Sequence, residues 1–128
     1  VHVAPEALLL AWRAGAGRLA VVSDAIAAAQ CGDGTFRLGS VEVVVRGNQA
    51  RRADGTLAGS LLSMDQAIRN LVEAGVPMVD AVAAATRVPG RLVDGRAGIL
   101  EEGGPADVVV LDEDLNVTGV WVGGAKLR

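Results

Sequence analysis

The spacing of apolar residues changes several times along the chain, and each change marks a predicted element. Leu8, Leu9, Ala11 and Trp12 share one face of a helical repeat. Pro5 opens that helix, because an N–H in the first turn has no helical partner to lose, and Gly15 and Gly17 close it. Leu19, Ala20, Val21 and Val22 follow without a polar break and read as a buried parallel strand. Asp24 stands at its C-terminal end, and Gly32, Asp33 and Gly34 mark a loop. From Phe36 the period falls to two. Phe36, Leu38, Val41, Val43 and Val45 fall at mostly alternate positions, broken at Gly39 and Gly47-Asn48, which predicts two or three short antiparallel strands.

Helical spacing returns with Met64, Ala67, Ile68, Leu71 and Val72. Ser63 and Gln66 have the separation of a capping box, and Gly75 with Pro77 ends the helix. Pro77 opens another helix through Val79, Val82 and Ala83 towards Thr86, and Pro89 a further turn through Leu92 and Val93. From Gly95 the character is that of strands: Ile99 with Leu100, then Val108–Leu111, then Val117–Val122. Helix, short turn and buried strand make one αβ step, so the chain reads as α/β with a β-rich end.

Composition removes several classes of function. The chain is 51% hydrophobic, yet no uninterrupted apolar run reaches the length of about 18 residues that a membrane span requires. No charged start with an apolar centre marks a signal peptide. Acidic residues outnumber basic ones by 15 to 12, and Trp12, Phe36 and Trp121 are the aromatics, a pattern without the basic and aromatic surface that binds nucleic acid. Cys31 is the single cysteine, so an intrachain disulfide is excluded and a reducing, cytoplasmic setting fits. Its loop position, with no histidine near it in sequence, favours an incidental thiol over a nucleophile. Gly15-Ala-Gly17 precedes a strand and so is no dinucleotide fingerprint. Asp112, Glu113 and Asp114 read as a solvated turn, with too few oxygen ligands at defined positions for a calcium loop. A chain of 128 residues is long enough for one domain, and its opening on Val1 fits a fragment.

The candidate chemistry centres on Asp24. In an α/β barrel the C-terminal end of each strand faces the active site, so a carboxyl there is a candidate for catalysis. By position alone it reads first as a turn former or helix cap. Three stretches resemble the N-acetylglucosamine-6-phosphate deacetylases, a branch of the amidohydrolase superfamily. Val22-Ser-Asp24-Ala-Ile-Ala-Ala-Ala is similar to the segment that carries that family's catalytic aspartate, and His2-Val3 lies 22 residues before Asp24, as the family's substrate-contacting histidine does. Asp54-Gly-Thr-Leu57-Ala58-Gly59-Ser60 is similar to its substrate loop, and the stretch from Gly98 to Asp112 to its C-terminal sheet, with Gly104 where a lysine is usual. The resemblance runs from His2 to about Gly124 and covers about the last third of such an enzyme.

The resemblance implies the C-terminal part of an amidohydrolase (β/α)8 barrel, its last strand and flanking helices, plus part of a small β-sandwich domain. Residues 1–94 would belong to the barrel, with a β excursion at about 35–52, and residues 95–128 to the sandwich. It implies deacetylation of N-acetylglucosamine 6-phosphate to glucosamine 6-phosphate and acetate. Asp24 would carry the proton in both steps, His2 would bind the sugar, and the Leu57, Ala58 and Gly59 backbone would line its pocket. The divalent metal of such enzymes, zinc first among them, takes its ligands from earlier strands outside this chain, as does the group that receives the phosphate. His2 is the only histidine here. The expected partners are therefore the amino sugar phosphate, the N-terminal part of the enzyme and a second copy in a homodimer, with neither nucleic acid nor membrane, and the chain is expected to be inactive by itself. The terminal sheet signature fits a dihydroorotase-like or aminoacylase-like amidohydrolase equally well, and a truncated non-catalytic module is the reading of a different class.

Overall fold

Two hydrophobic clusters, joined by the segment from Leu19 to Ala28, organise the protein. A computed structural model describes residues 3–15, 17–93 and 95–128. The first cluster is built from Ile68, Leu71, Val76, Ala81 and Ala84. These come from helices α2 (Met64–Glu73) and α3 (Met78–Ala85) and the turn between them. Leu8, Leu9 and Trp12 of α1 (Pro5–Gly15) cover it in part. The second cluster, Ala28, Val43, Val45 and Ala50, lies under a three-stranded antiparallel sheet. That sheet consists of β1 (Gly34–Leu38), β2 (Val41–Arg46) and β3 (Gln49–Arg52).

Each element has a local cause. In β2, Val43 and Val45 are buried while Glu42 and Arg46 are exposed, as an alternating strand with one solvated face requires. The hairpin pairs Leu38 with Val41 around Gly39, whose φ of 61° suits a glycine. α2 buries Ala67, Ile68 and Leu71. It ends in a Schellman motif, Gly75 N–H to Val72 O (2.9 Å) and Val76 N–H to Leu71 O (3.0 Å), with Gly75 at φ 96°. Its start departs from the expected capping box, because the Ser63 side chain makes no cap bond to the helix backbone. The Ser63 hydroxyl serves the Asp65 carboxyl instead, holding it below the usual carboxylate range with help from Arg69 and against the cost of desolvation. Gln66 turns towards Asn70 (Nε2 to Oδ1, 2.8 Å) and accepts from Arg69. The hydroxyl proton is donated to a charged acceptor, a stronger bond than one to a neutral group, and that bond sets the rotamer of Ser63.

Two predicted strands are not strands. Residues 19–22 join no ladder; Val21 N–H donates to Ala84 O (2.8 Å) at the end of α3 instead. The run is not the buried strand its composition predicts: Leu19, Ala20 and Val21 are half-buried, Val22 is exposed, and no parallel neighbour exists among the described residues to pair with it. Ile99 and Leu100 likewise lie outside any ladder. α4 (Arg87–Val93) starts two residues before Pro89, which its first turn tolerates.

The chain closes in a second antiparallel sheet of β4 (Val108–Leu111), β5 (Val117–Val122) and β6 (Ala125–Lys126), with a bulge between Val110 and Leu111. The two-residue β6 is not foreseen by periodicity; Gly123 and Gly124, at φ 56° and 81°, form the tight turn that returns it to β5. Arg69 fastens this sheet to the helices, donating to Asp65 (2.8 Å) and to the Leu115 carbonyl (2.7 Å). Among the described residues no helix is long and apolar enough to cross a membrane.

The solvent-accessible surface is 8488 Å² for a mass of 13.0 kDa, against about 6,300 Å² for a compact monomer of that mass. Leu10, Val22, Val79, Leu92 and Leu100 are among the large apolar side chains left exposed. Uncovered apolar surface of this extent favours association. The isolated chain is therefore expected to sediment as oligomers or to melt broadly; a monomer with a sharp calorimetric transition would contradict this.

Candidate functional site

The segment from Leu19 ends at Asp24, whose backbone turns into the left-handed region at φ 48°. Few side chains other than glycine sit there without strain, aspartate and asparagine being the usual exceptions. Main-chain hydrogen bonds hold the turn. Ser60 N–H donates to Asp24 O (3.1 Å) and Ile26 N–H to Ser60 O (2.9 Å), forming a parallel bridge between Ala25 and Ser60. The Ser23 hydroxyl accepts from Ala25 N–H at 3.3 Å, so this turn's side-chain acceptor is the serine. Asp24 itself is exposed, and no hydrogen bond engages its carboxylate among the described residues.

Gly59 stands beside this crossing at φ 107°, and a Cβ there would meet Ile26 Cγ2 at 2.5 Å. The close approach that demands glycine is thus to Ile26 within the fold. Ala58 donates its N–H to Ala50 O (2.9 Å) and packs on the second cluster. Leu57 bridges to Arg51 and leaves its side chain exposed. The turn before it is tightened by Asp54, which accepts from the Thr56 hydroxyl (2.6 Å) and N–H (3.0 Å). Those two bonds, the hydroxyl first, lower the Asp54 carboxyl below its ordinary range. His2 lies outside the described residues. The structure therefore brings Gly59 and Ser60 to Asp24, while Leu57 and Ala58 continue towards β3.

Asp24 lines an open cleft of about 1170 Å³, together with Val22, Ser60 and Ser63. Polar residues on this cleft that were not singled out from sequence include Gln30, Asn48 and Asn70. Gln30 holds a left-handed backbone (φ 64°), and Asn48 sits at the tip of the β2–β3 hairpin. Asp33 ties their two loops together by accepting from Gly47 N–H at 2.8 Å. Nothing in the sequence marks a glutamine as left-handed, although Gly47-Asn48 does mark the turn. No group of three His, Cys, Asp or Glu side chains that could hold a metal occurs among the described residues. The described residues do not make a metal site, and the carboxylate among those lining the cleft is that of Asp24.

The architecture is of the α/β class. The sequence profile of the Amidohydrolase family matches residues 10–127, and the chain belongs to that family. Over 126 residues it is 41% identical to an Escherichia coli K12 protein provisionally named an N-acetylgalactosamine-6-phosphate deacetylase, covering 96% of this chain and 75% of that one. It is 38% identical over 128 residues to the N-acetylglucosamine-6-phosphate deacetylase of Bos taurus, covering 97% of this chain and 31% of the bovine one. Among solved structures, it is similar to the N-acetyl-D-glucosamine-6-phosphate deacetylase of Mycobacterium smegmatis, an aspartate-to-alanine mutant in complex with N-acetyl-D-glucosamine-6-phosphate. That match has a TM-score of 0.86 and 37% identity, covering 98% of this chain and 35% of that one. The chain thus spans about a third of the length of the bovine and mycobacterial enzymes.

Two outcomes follow from this geometry. Gly59→Ala should destabilise the protein by about 1–3 kcal/mol, since it adds a clash at a left-handed position; an unchanged denaturation midpoint would show that Ile26 yields freely. Calorimetry of the isolated chain with zinc should show no tight site of one metal per chain, and one such site would reveal ligands outside the set considered.

Proposed function

We propose that this chain provides the proton-carrying carboxylate and part of the substrate pocket of a deacetylase acting on an N-acetylated hexosamine 6-phosphate. One observation carries the reading: Asp24 is locked by main-chain bonds at the mouth of a cleft while its carboxylate remains uncommitted. The names of the related enzymes supply the substrate class. They include both the glucosamine and galactosamine epimers; glucosamine is our first assignment, and the identity to the Escherichia coli protein favours galactosamine as the second.

Hydrolysis adds water to the acetyl carbonyl carbon and expels the sugar nitrogen. As the new C–O bond forms, Asp24 accepts the proton that leaves the water. When the C–N bond breaks, Asp24 gives that proton to the departing amine, so acetate and the amino sugar phosphate are released. One carboxylate serves both transfers because they occur in sequence. His2 would contact the sugar, and the main chain of Leu57, Ala58 and Gly59 would border its pocket. The implied divalent metal would take its ligands from polypeptide outside this chain, so no step is assigned to it here. In this reading residues 1–94 complete a barrel, residues 95–128 contribute to a small sandwich domain, and the assembled enzyme is a cytoplasmic homodimer.

Asp24→Asn in the complete enzyme tests the assignment. It preserves shape and tolerance of the left-handed backbone but removes the base, so kcat should fall by about 10²–10⁴-fold or more with KM little changed. A turn-forming aspartate would instead leave kcat near normal and at most lower the melting temperature. Steady-state kinetics on both epimers with a melting curve separate the two, and near-normal kcat would sink the role of Asp24.

A further inference from the structure

Gln30 and Asn48 line the cleft with Asp24, and although Asn48 also suits the two-residue hairpin turn, the fold uses neither carboxamide among the described residues. Gln30 holds φ 64°, a conformation that costs a non-glycine residue and that glycine would adopt freely. It is exposed, and its carboxamide has no hydrogen-bond partner among the described residues, so no contact offsets that cost. Asn48 is likewise exposed at its hairpin tip, with its carboxamide unengaged among the described residues. Their loops are joined by the Asp33 carboxylate on Gly47 N–H, which sets the two positions relative to each other.

A carboxamide donates and accepts at one planar group, which matches a sugar hydroxyl, itself both donor and acceptor. Neither side chain can carry a proton at neutral pH, so the pair suits recognition and not proton transfer. We propose that Gln30 and Asn48 form a carboxamide rim that hydrogen-bonds the hydroxyls of the bound hexosamine phosphate and sets the preference between its glucosamine and galactosamine epimers. These epimers differ only in the direction of one ring hydroxyl, and a site built to bond a hydroxyl discriminates when that bond is lost. The inference rests on the deacetylase reading above and adds the residues that choose the sugar.

The test is kinetic, on both N-acetylated 6-phosphates, in the complete enzyme. Gln30→Ala and Asn48→Ala should each raise KM by about 3- to 10-fold, the worth of one neutral hydrogen bond, with kcat changed less. The ratio of kcat/KM between epimers should move by about threefold or more in at least one variant. Gln30→Gly provides the control for folding. It relieves the left-handed backbone, so its melting temperature should not fall, while its KM should rise as in the alanine variant. Unchanged KM and epimer ratio in all three variants, with Asp24→Asn still inactive, would overturn the rim and leave the deacetylase reading standing. A wild-type enzyme that turns over neither epimer would remove both.

Discussion

The site depends on a pair of backbone hydrogen bonds, Ser60 N–H to Asp24 O and Ile26 N–H to Ser60 O. Each is worth about 1 kcal/mol net, too little to hold a left-handed aspartate by itself. Their persistence comes from the two clusters on either side. Upstream, Leu19 and Val21 pack on the helical cluster and Val21 is bonded to the end of α3. Downstream, Ile26 and Ala28 belong to the cluster beneath the β1–β3 sheet. Asp24 therefore sits where the chain passes from one core to the other, and both cores must be intact for its backbone to stay in place. Gly59 is the matching requirement on the second strand of the crossing, because any Cβ there would meet Ile26.

The wall opposite depends on a polar link of longer range. Arg69 has its guanidinium engaged by Asp65, Gln66 and the Leu115 carbonyl at once. It thereby joins the start of α2, where Ser63 and Gln66 line the cleft, to the β4–β5 turn. Leu115 reaches Arg69 from a left-handed backbone (φ 62°), in a turn set by Asp112, which accepts from the N–H groups of Asp114 and Asn116. The bond from Asn116 is the larger cause of the lowered Asp112 carboxyl. The terminal sheet is far from Asp24 in sequence, yet it helps to hold that side of the cleft.

How much of this was legible in the sequence follows from what periodicity measures. Helices α1 and α2 and the sheet β1–β3 stand where apolar spacing put them, because one-sided burial imposes that spacing. Residues 19–22 carry the sequence signature of a buried strand, yet they are half-buried or exposed and form no ladder, since burial and pairing there depend on a neighbour that the pattern cannot specify. Ser63 and Gln66 had the spacing of a capping box, but their side chains turn to other partners, Ser63 to Asp65 and Gln66 to Asn70. β6 was too short to show a period. At the candidate site, resemblance proposed Asp24, and the amidohydrolase match agrees with the family that resemblance named. The placement of Gln30 and Asn48 on the same cleft was not legible, because what brings their loops together is an aspartate at position 33 reaching a hairpin tip at position 47.

The choice between a turn-forming and a reactive Asp24 turns on a comparison within this chain. Aspartates that shape turns here spend their carboxylates on nearby N–H groups. Asp33 holds Gly47 at 2.8 Å, Asp54 holds Thr56 at 3.0 Å, Asp107 holds Gly123 at 2.7 Å and Asp112 holds Asn116 at 2.7 Å. Asp24 occupies an equally sharp turn, yet the local N–H of Ala25 goes to the Ser23 hydroxyl and the turn itself is fixed by main-chain atoms. Its side chain is thus relieved of the work that its neighbours' carboxylates do. A carboxylate aimed at proton transfer needs that combination, since its oxygens must be open to the reacting atoms while its backbone holds them in place. Backbone rigidity and side-chain freedom at one residue give the catalytic reading a physical basis separate from resemblance.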